Sequence, residues 1–162
     1  MQSQAPHKEL DIIVYLVYNV YGISRKGAQM RLTTKSEYSL LALIYIARHG
    51  QHGFVKIEDI CKEYNLPKKY LEQLLHILRQ NRYLKTKRGA GGGYGLAKPS
   101  AKISIAQIIR LMDGALAPTE SVSMYFYSET PLMREAKIMA VFKDIRDYAS
   151  RRLEGLTLAD LV

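Results

Sequence analysis

Cysteine is almost missing: Cys61 is the single one in 162 residues. One thiol makes no intrachain disulfide, and it cannot supply a zinc or iron–sulfur site that draws several cysteines from one chain. That usage fits a reducing, cytoplasmic setting. Tryptophan is absent and phenylalanine scarce, whereas tyrosine is plentiful. No apolar run reaches the roughly 18 residues of a membrane span, so no membrane partner is expected. The four histidines, His7, His49, His52 and His76, fall into no metal-ligand spacing, and no serine, histidine and acid stand together in a motif. No cofactor, metal or enzymatic activity is therefore expected. Acidic residues are the scarcer charge, 15 against 24 Lys and Arg, for a net charge of +9. A surplus of this size favours an anionic partner.

The surplus is local. Residues 1–30 carry a net +1, residues 31–99 a net +8, and residues 100–162 none. The anionic partner's site belongs in the middle segment. Three regions are expected on this basis: residues 1–29 as an extension of unclear role, 30–99 as a binding domain, and 100–162 as a helical region.

Residues 10–23, LDIIVYLVYNVYGI, are apolar and tyrosine-rich. Ile13, Leu16, Val17 and Val20 fit one helical face, although the β-branched content also suits a strand. Ser24 to Gln29 read as a polar linker. Thr34 or Ser36 can cap a helix reaching about Arg48, with Tyr38, Leu41, Ala42, Tyr45 and Ile46 at helical spacing. His49 to Gly53 form a turn. A short helix follows over about Lys56–Tyr64, burying Ile57, Ile60, Cys61 and Tyr64. Pro67 suits the first position of a third helix, reaching about Asn81 with Tyr70, Leu71, Leu74, Leu75 and Leu78 inward. Tyr83 to Arg88 read as a strand, GAGGG as a tight tip, and YGLA as the returning strand. Helix, short helix, turn, helix and glycine-tipped hairpin make the winged form of the helix-turn-helix. The fold class is thus mainly α with a small β-hairpin wing.

Ser104 can cap a helix from Ile105 to about Met112, closed by Asp113-Gly114. Pro131 then opens a long helix to about Leu153. Its stripe of Leu132, Ala136, Met139, Phe142, Ile145, Ala149 and Leu153 is broadened by Ile138, Val141 and Tyr148. So wide an apolar face exceeds what a small domain can cover, which points to dimerisation through Leu132, Met139, Phe142, Ile145, Ala149 and Leu153. Gly155 ends this helix, and Thr157 can cap a last turn in LTLADLV.

The third helix begins with Lys68, Lys69 and Tyr70, where leading backbone N–H groups also attract phosphate. Glu72 and Gln73 are unusual on a basic face. A carboxylate repels phosphate, so Glu72 is suited to a cytosine amine and Gln73 to adenine or phosphate; Glu72 can instead pair with Lys68 or Lys69 along the helix. In the wing, Lys85, Lys87 and Arg88 lead into Gly89. Glycines here permit close approach to a sugar–phosphate chain, and Arg88 is the candidate for a narrow minor groove; the rival is a tight hairpin with a solvated arginine. GAGGGYG is no nucleotide loop, since no Gly-Lys-Ser/Thr follows it. Cys61 reads as a buried structural thiol.

Three stretches, MRLTTKSEYSLLALIYIA, PKKYLEQLLHILRQNRYL and KRGAGGGYGLAKP, together with the terminal LTLADLV, resemble the Rrf-two (Rrf2) family of bacterial winged-helix transcription regulators. The likeness runs in order from Met30 to Val162. It implies a DNA-binding regulator, and it supports Glu72 as a base reader. Many relatives bind an iron–sulfur cluster through three cysteines between the fourth helix and the long helix. Ala115 to Thr130 holds neither cysteine nor histidine, which places the chain in a cluster-free branch.

The expected function is a homodimeric, sequence-specific repressor on double-stranded DNA, at a palindromic operator with half-sites about one helical turn apart or a multiple of that. Tyr125 and Tyr127, in the segment that replaces the cluster, are candidates for contacting a small-molecule or protein effector or the other subunit, unless they pack on their own core. The rival from another class is a winged-helix module that binds acidic proteins. A further rival has residues 10–23 tether the protein to a membrane surface.

Overall fold

The computed structural model describes residues 32–50, 53–125 and 127–162. Readings made on residues 1–31, including the stretch 10–23 and the linker, lie outside the described residues, as do Gln51, His52 and Phe126.

The first helix, α1 (Thr34–His49), is capped by Thr33, one residue before the earlier of the two expected caps. The Thr33 hydroxyl accepts from the Lys35 N–H at 3.2 Å. It also donates to the Asp113 carboxylate, which takes the Thr33 N–H at 3.0 Å as well. This long-range partner is why Thr33 rather than Thr34 or Ser36 makes the cap: Ser36 is wholly buried. α1 is the central rod, burying Ala42, Leu43 and Ile46.

Helix α2 (Ile57–Tyr64) ends on Asn65 in the left-handed region, φ 52°. Helix α3 (Lys68–Gln80) starts one residue after Pro67, which stands extended just outside it. Leu71, Leu74, Leu75 and Leu78 are each at most 2% exposed. Strands β1 (Leu84–Lys87) and β2 (Gly93–Leu96) pair antiparallel, Leu84 opposite Leu96 and Lys87 opposite Gly93. The hairpin is therefore present, with an addition. Val55 pairs with Tyr94 through two backbone hydrogen bonds of 2.8 and 2.9 Å, a single-residue third strand.

Helix α4 (Ile105–Asp113) carries a full capping box, Ser104 with Gln107. The long helix differs from expectation. Pro131–Arg134 form a separate 3-10 turn, Glu135 leaves helical geometry (φ −104°, ψ 82°), and α5 runs Ala136–Glu154. The turn closes its own i→i+3 bonds, Met133 N–H to Thr130 O and Glu135 N–H to Leu132 O, so the two segments stay distinct. The C-terminal turn, Leu158–Leu161, has the Thr157–Asp160 box. It folds back: the Leu158 N–H donates to Ile103 O at 2.8 Å, the Ile105 N–H to Leu156 O at 2.9 Å, and Arg48 to Leu161 O at 2.9 Å. Leu158 is fully buried, in the same core as Leu43, Leu75 and Ile108. One core thus crosses the line drawn at residue 100, and Leu32–Val162 form one compact unit.

Candidate nucleic-acid interface

The winged unit turns its apolar side inward and leaves its cations outside. Lys68, Lys69, Glu72 and Gln73 are exposed on α3, and Tyr70 is half-buried, its ring edge-on to Tyr38 with centroids 6.0 Å apart. No side chain caps α3, whereas Thr33 and Ser104 cap α1 and α4. The Tyr70 and Leu71 N–H groups turn back to Pro67 O at 3.2 and 3.0 Å, so only the Lys68 and Lys69 N–H groups at the very start of α3 can face an outside acceptor. Lys85, Lys87, Arg88 and Gly89 are exposed along β1 and the tip. Among the described residues, neither Lys69 nor any of these wing cations forms an ion pair.

Glu72 pairs with neither lysine. Lys68 instead reaches back to α2, its Nζ 2.7 Å from Glu58 Oε1. That hydrogen bond holds the Glu58 carboxyl below the usual range and raises the Lys68 ammonium. Tyr94, paired with Val55, packs against the core. Burial pushes the Tyr94 phenol up; Glu72 and Glu58 act the same way, whereas Arg79 and Lys68 oppose it.

The wing glycines have two separate duties. A Cβ on Gly93 (φ 149°) would stand 2.3 Å from Val55 O, so Gly93 admits the third strand. Gly89 (φ 98°) meets nothing within 4 Å and takes a left-handed turn that leaves the tip open. Gly92 is equally tight, a Cβ there standing 2.3 Å from Lys87 O, so close approach serves backbone at Gly92 and Gly93, while Gly89 leaves space outside. Cys61 is only partly buried; burial, then Glu58, raises its thiol pKa, which lowers its thiolate fraction.

The residues expected at a dimer contact divide. Met139 is buried, Leu132, Phe142, Ala149 and Leu153 are half-buried within the chain, and Ile145 is exposed. Outward with Ile145 stand Ile138, Val141 and Tyr148, 37–49% exposed. They follow one another at steps of three, four and three, the seam spacing of paired helices. Tyr125 and Tyr127 are also exposed. The Tyr125 ring lies over the Arg110 guanidinium at 4.8 Å, and the Tyr127 hydroxyl donates to Met133 Sδ at 3.5 Å.

A profile described as "Rrf2: Iron-dependent Transcriptional regulator" matches residues 32–162. The chain belongs to the Rrf2 family. It is 35% identical over 132 residues to the HTH-type transcriptional regulator CymR of Bacillus subtilis, covering 82% of this chain and 89% of that one. To the HTH-type transcriptional regulator IscR of Serratia proteamaculans it is 32% identical over 133 residues, 82% and 79% of the two chains. The solved structure of B. subtilis CymR, titled the global cysteine regulator, superposes with a TM-score of 0.67 at 32% identity, over 82% of this chain and 96% of that one. The Rrf2 chain is accordingly a winged-helix transcriptional regulator and not an enzyme. No described helix is long and apolar enough to cross a membrane.

The family's iron does not fit the donors present. The loop after α4 offers Ser, Thr, Tyr, Met and Glu, and Cys61 sits apart from it on α2. Among the described residues, no three His, Cys, Asp or Glu side chains converge to hold a metal.

Proposed function

We propose that this Rrf2 chain is a cytoplasmic, homodimeric, sequence-specific DNA-binding repressor that works without an iron–sulfur cluster. The observation that carries the reading is the row of exposed cations without ion-pair partners among the described residues, Lys69, Lys85, Lys87 and Arg88, beside the uncapped start of α3. Residues 30–99 are the reading head, and residues 100–162 the dimerisation and effector region. α3 enters the major groove. Lys68, Lys69 and Tyr70 stand at the backbone, Lys68 with its charge engaged by Glu58, while Glu72 and Gln73 face base edges. Lys85 and Lys87 flank the duplex, and Gly89 lets Arg88 reach a narrow minor groove. Glu72, left unpaired by Lys68, is free to accept from a cytosine amine.

Two copies meet through α5. The seam of Ile138, Val141, Ile145 and Tyr148 forms the contact, with Ile145 shared between this seam and the stripe read from the sequence. Leu132, Met139, Phe142, Ala149 and Leu153 support α5 from behind. Two-fold symmetry then sets a palindromic operator with half-sites about one turn apart. The exposed Tyr125 and Tyr127 favour a second role for this region, contact with a small-molecule or protein effector.

Genomic fragments selected on the immobilised protein, then titrated against random duplex across salt, test the reading. A DNA reader binds chosen fragments far more tightly and shows a steep salt slope. A module for acidic proteins shows no preferred fragment.

A further inference from the structure

The start of α3 is less positive than its two lysines imply. Lys68 Nζ is engaged by Glu58 Oε1 from the neighbouring helix at 2.7 Å, with both side chains more than half exposed. Glu72 lies on the same face one turn along α3 and adds to the negative potential at Lys68. Lys69 has no ion-pair partner among the described residues. The exposure of the Glu58–Lys68 pair excludes a large structural role, since surface pairs of this kind stabilise folds little.

Its position has a larger consequence for binding. A lysine that brings its own carboxylate to a phosphate neutralises nothing net and releases no counterion. We infer that Glu58 is a brake on sequence-independent DNA binding: by holding Lys68 it removes one phosphate contact that any duplex could make. The inference rests on the DNA-binding reading above. Affinity for arbitrary duplex falls, which matters because a genome presents a vast excess of arbitrary sites that hold the protein.

The test uses the full 162-residue chain and a fluorescent random-sequence duplex titrated at several salt concentrations. Glu58→Gln should tighten random-duplex binding by about 3–10-fold and steepen the slope of log affinity against log salt by about one. Lys68→Gln should cancel that gain, so that the double variant behaves as Lys68→Gln alone. Glu63→Gln removes the same charge from α2 on the side facing Tyr45 and should leave the slope unchanged. The melting temperature of Glu58→Gln should stay within about 2 °C of the parent. An unchanged slope in Glu58→Gln, or an equal gain in the double variant, overturns the inference while leaving DNA binding intact. A parent protein that binds no duplex at low salt overturns the DNA reading and this inference together.

Discussion

Helices α3 and α5 answer their apolar residues in opposite ways. α3 places Leu71, Leu74, Leu75 and Leu78 wholly inside the chain and shows the solvent charged and polar groups. α5 buries Met139 but leaves Ile138, Val141, Ile145 and Tyr148 to the solvent. The first helix is complete within one chain, and its free side is available for a polar partner. The second presents an apolar seam that the described residues leave uncovered, which is the chemistry of helix pairing rather than of phosphate. The charge follows the same division, because the basic surplus lies entirely before residue 100.

The sharpest way to break this contrast is to damage each helix on its apolar side. Leu75→Ala in α3 should cost about 2–5 kcal/mol of stability, as for a buried leucine whose cavity cannot collapse, measured by urea denaturation. The double change Val141→Asp and Ile145→Asp in α5 should leave a folded monomer by sedimentation, with operator affinity lower by about 100-fold from lost bivalency. Arg88→Ala should spare both fold and dimer and weaken operator binding by about 1–3 kcal/mol at fixed salt. Asp113 gives a smaller, pH-dependent effect. Burial alone would raise its pKa, yet the Thr33 hydroxyl, Ser36 and the Thr33 N–H outweigh burial and hold it below the usual range. A depressed carboxylate contributes fully above its unfolded pKa and loses that contribution as pH falls through the lower folded value. Asp113→Asn should therefore destabilise at neutral pH and flatten the loss of stability below about pH 4, followed by thermal melts across pH. Tyr125→Ala should change stability by less than about 0.5 kcal/mol, since its ring is mostly exposed, and should alter only an effector response.

The features legible in the sequence are those with a local cause. Pro67 marks the start of α3, Ser104 with Gln107 the start of α4, and the run Gly89–Gly93 the tip of the wing; each acts on neighbours within a few residues. What stayed hidden needed a distant partner. Thr33, Thr34 and Ser36 offer equivalent hydroxyls, and only Asp113, eighty residues away, selects Thr33. Val55 forms a one-residue bridge, too short to have a period. Leu158 returns to Ile103 across more than fifty residues. In α5 the helical period exposes two adjoining apolar stripes, and periodicity does not say which of them its own chain will cover. At the interface, Lys68 and Glu72 have the right spacing to pair, yet Glu58, ten residues before Lys68 and brought close by the turn between α2 and α3, takes the lysine instead.

The most direct measurement is a competition titration of the intact protein on a selected genomic fragment against random duplex at one fixed physiological salt concentration. The account predicts two chains bound per fragment and a preference of about 1,000-fold or more over random sequence. Equal affinity for the two duplexes, or a single chain saturating the fragment, would contradict it.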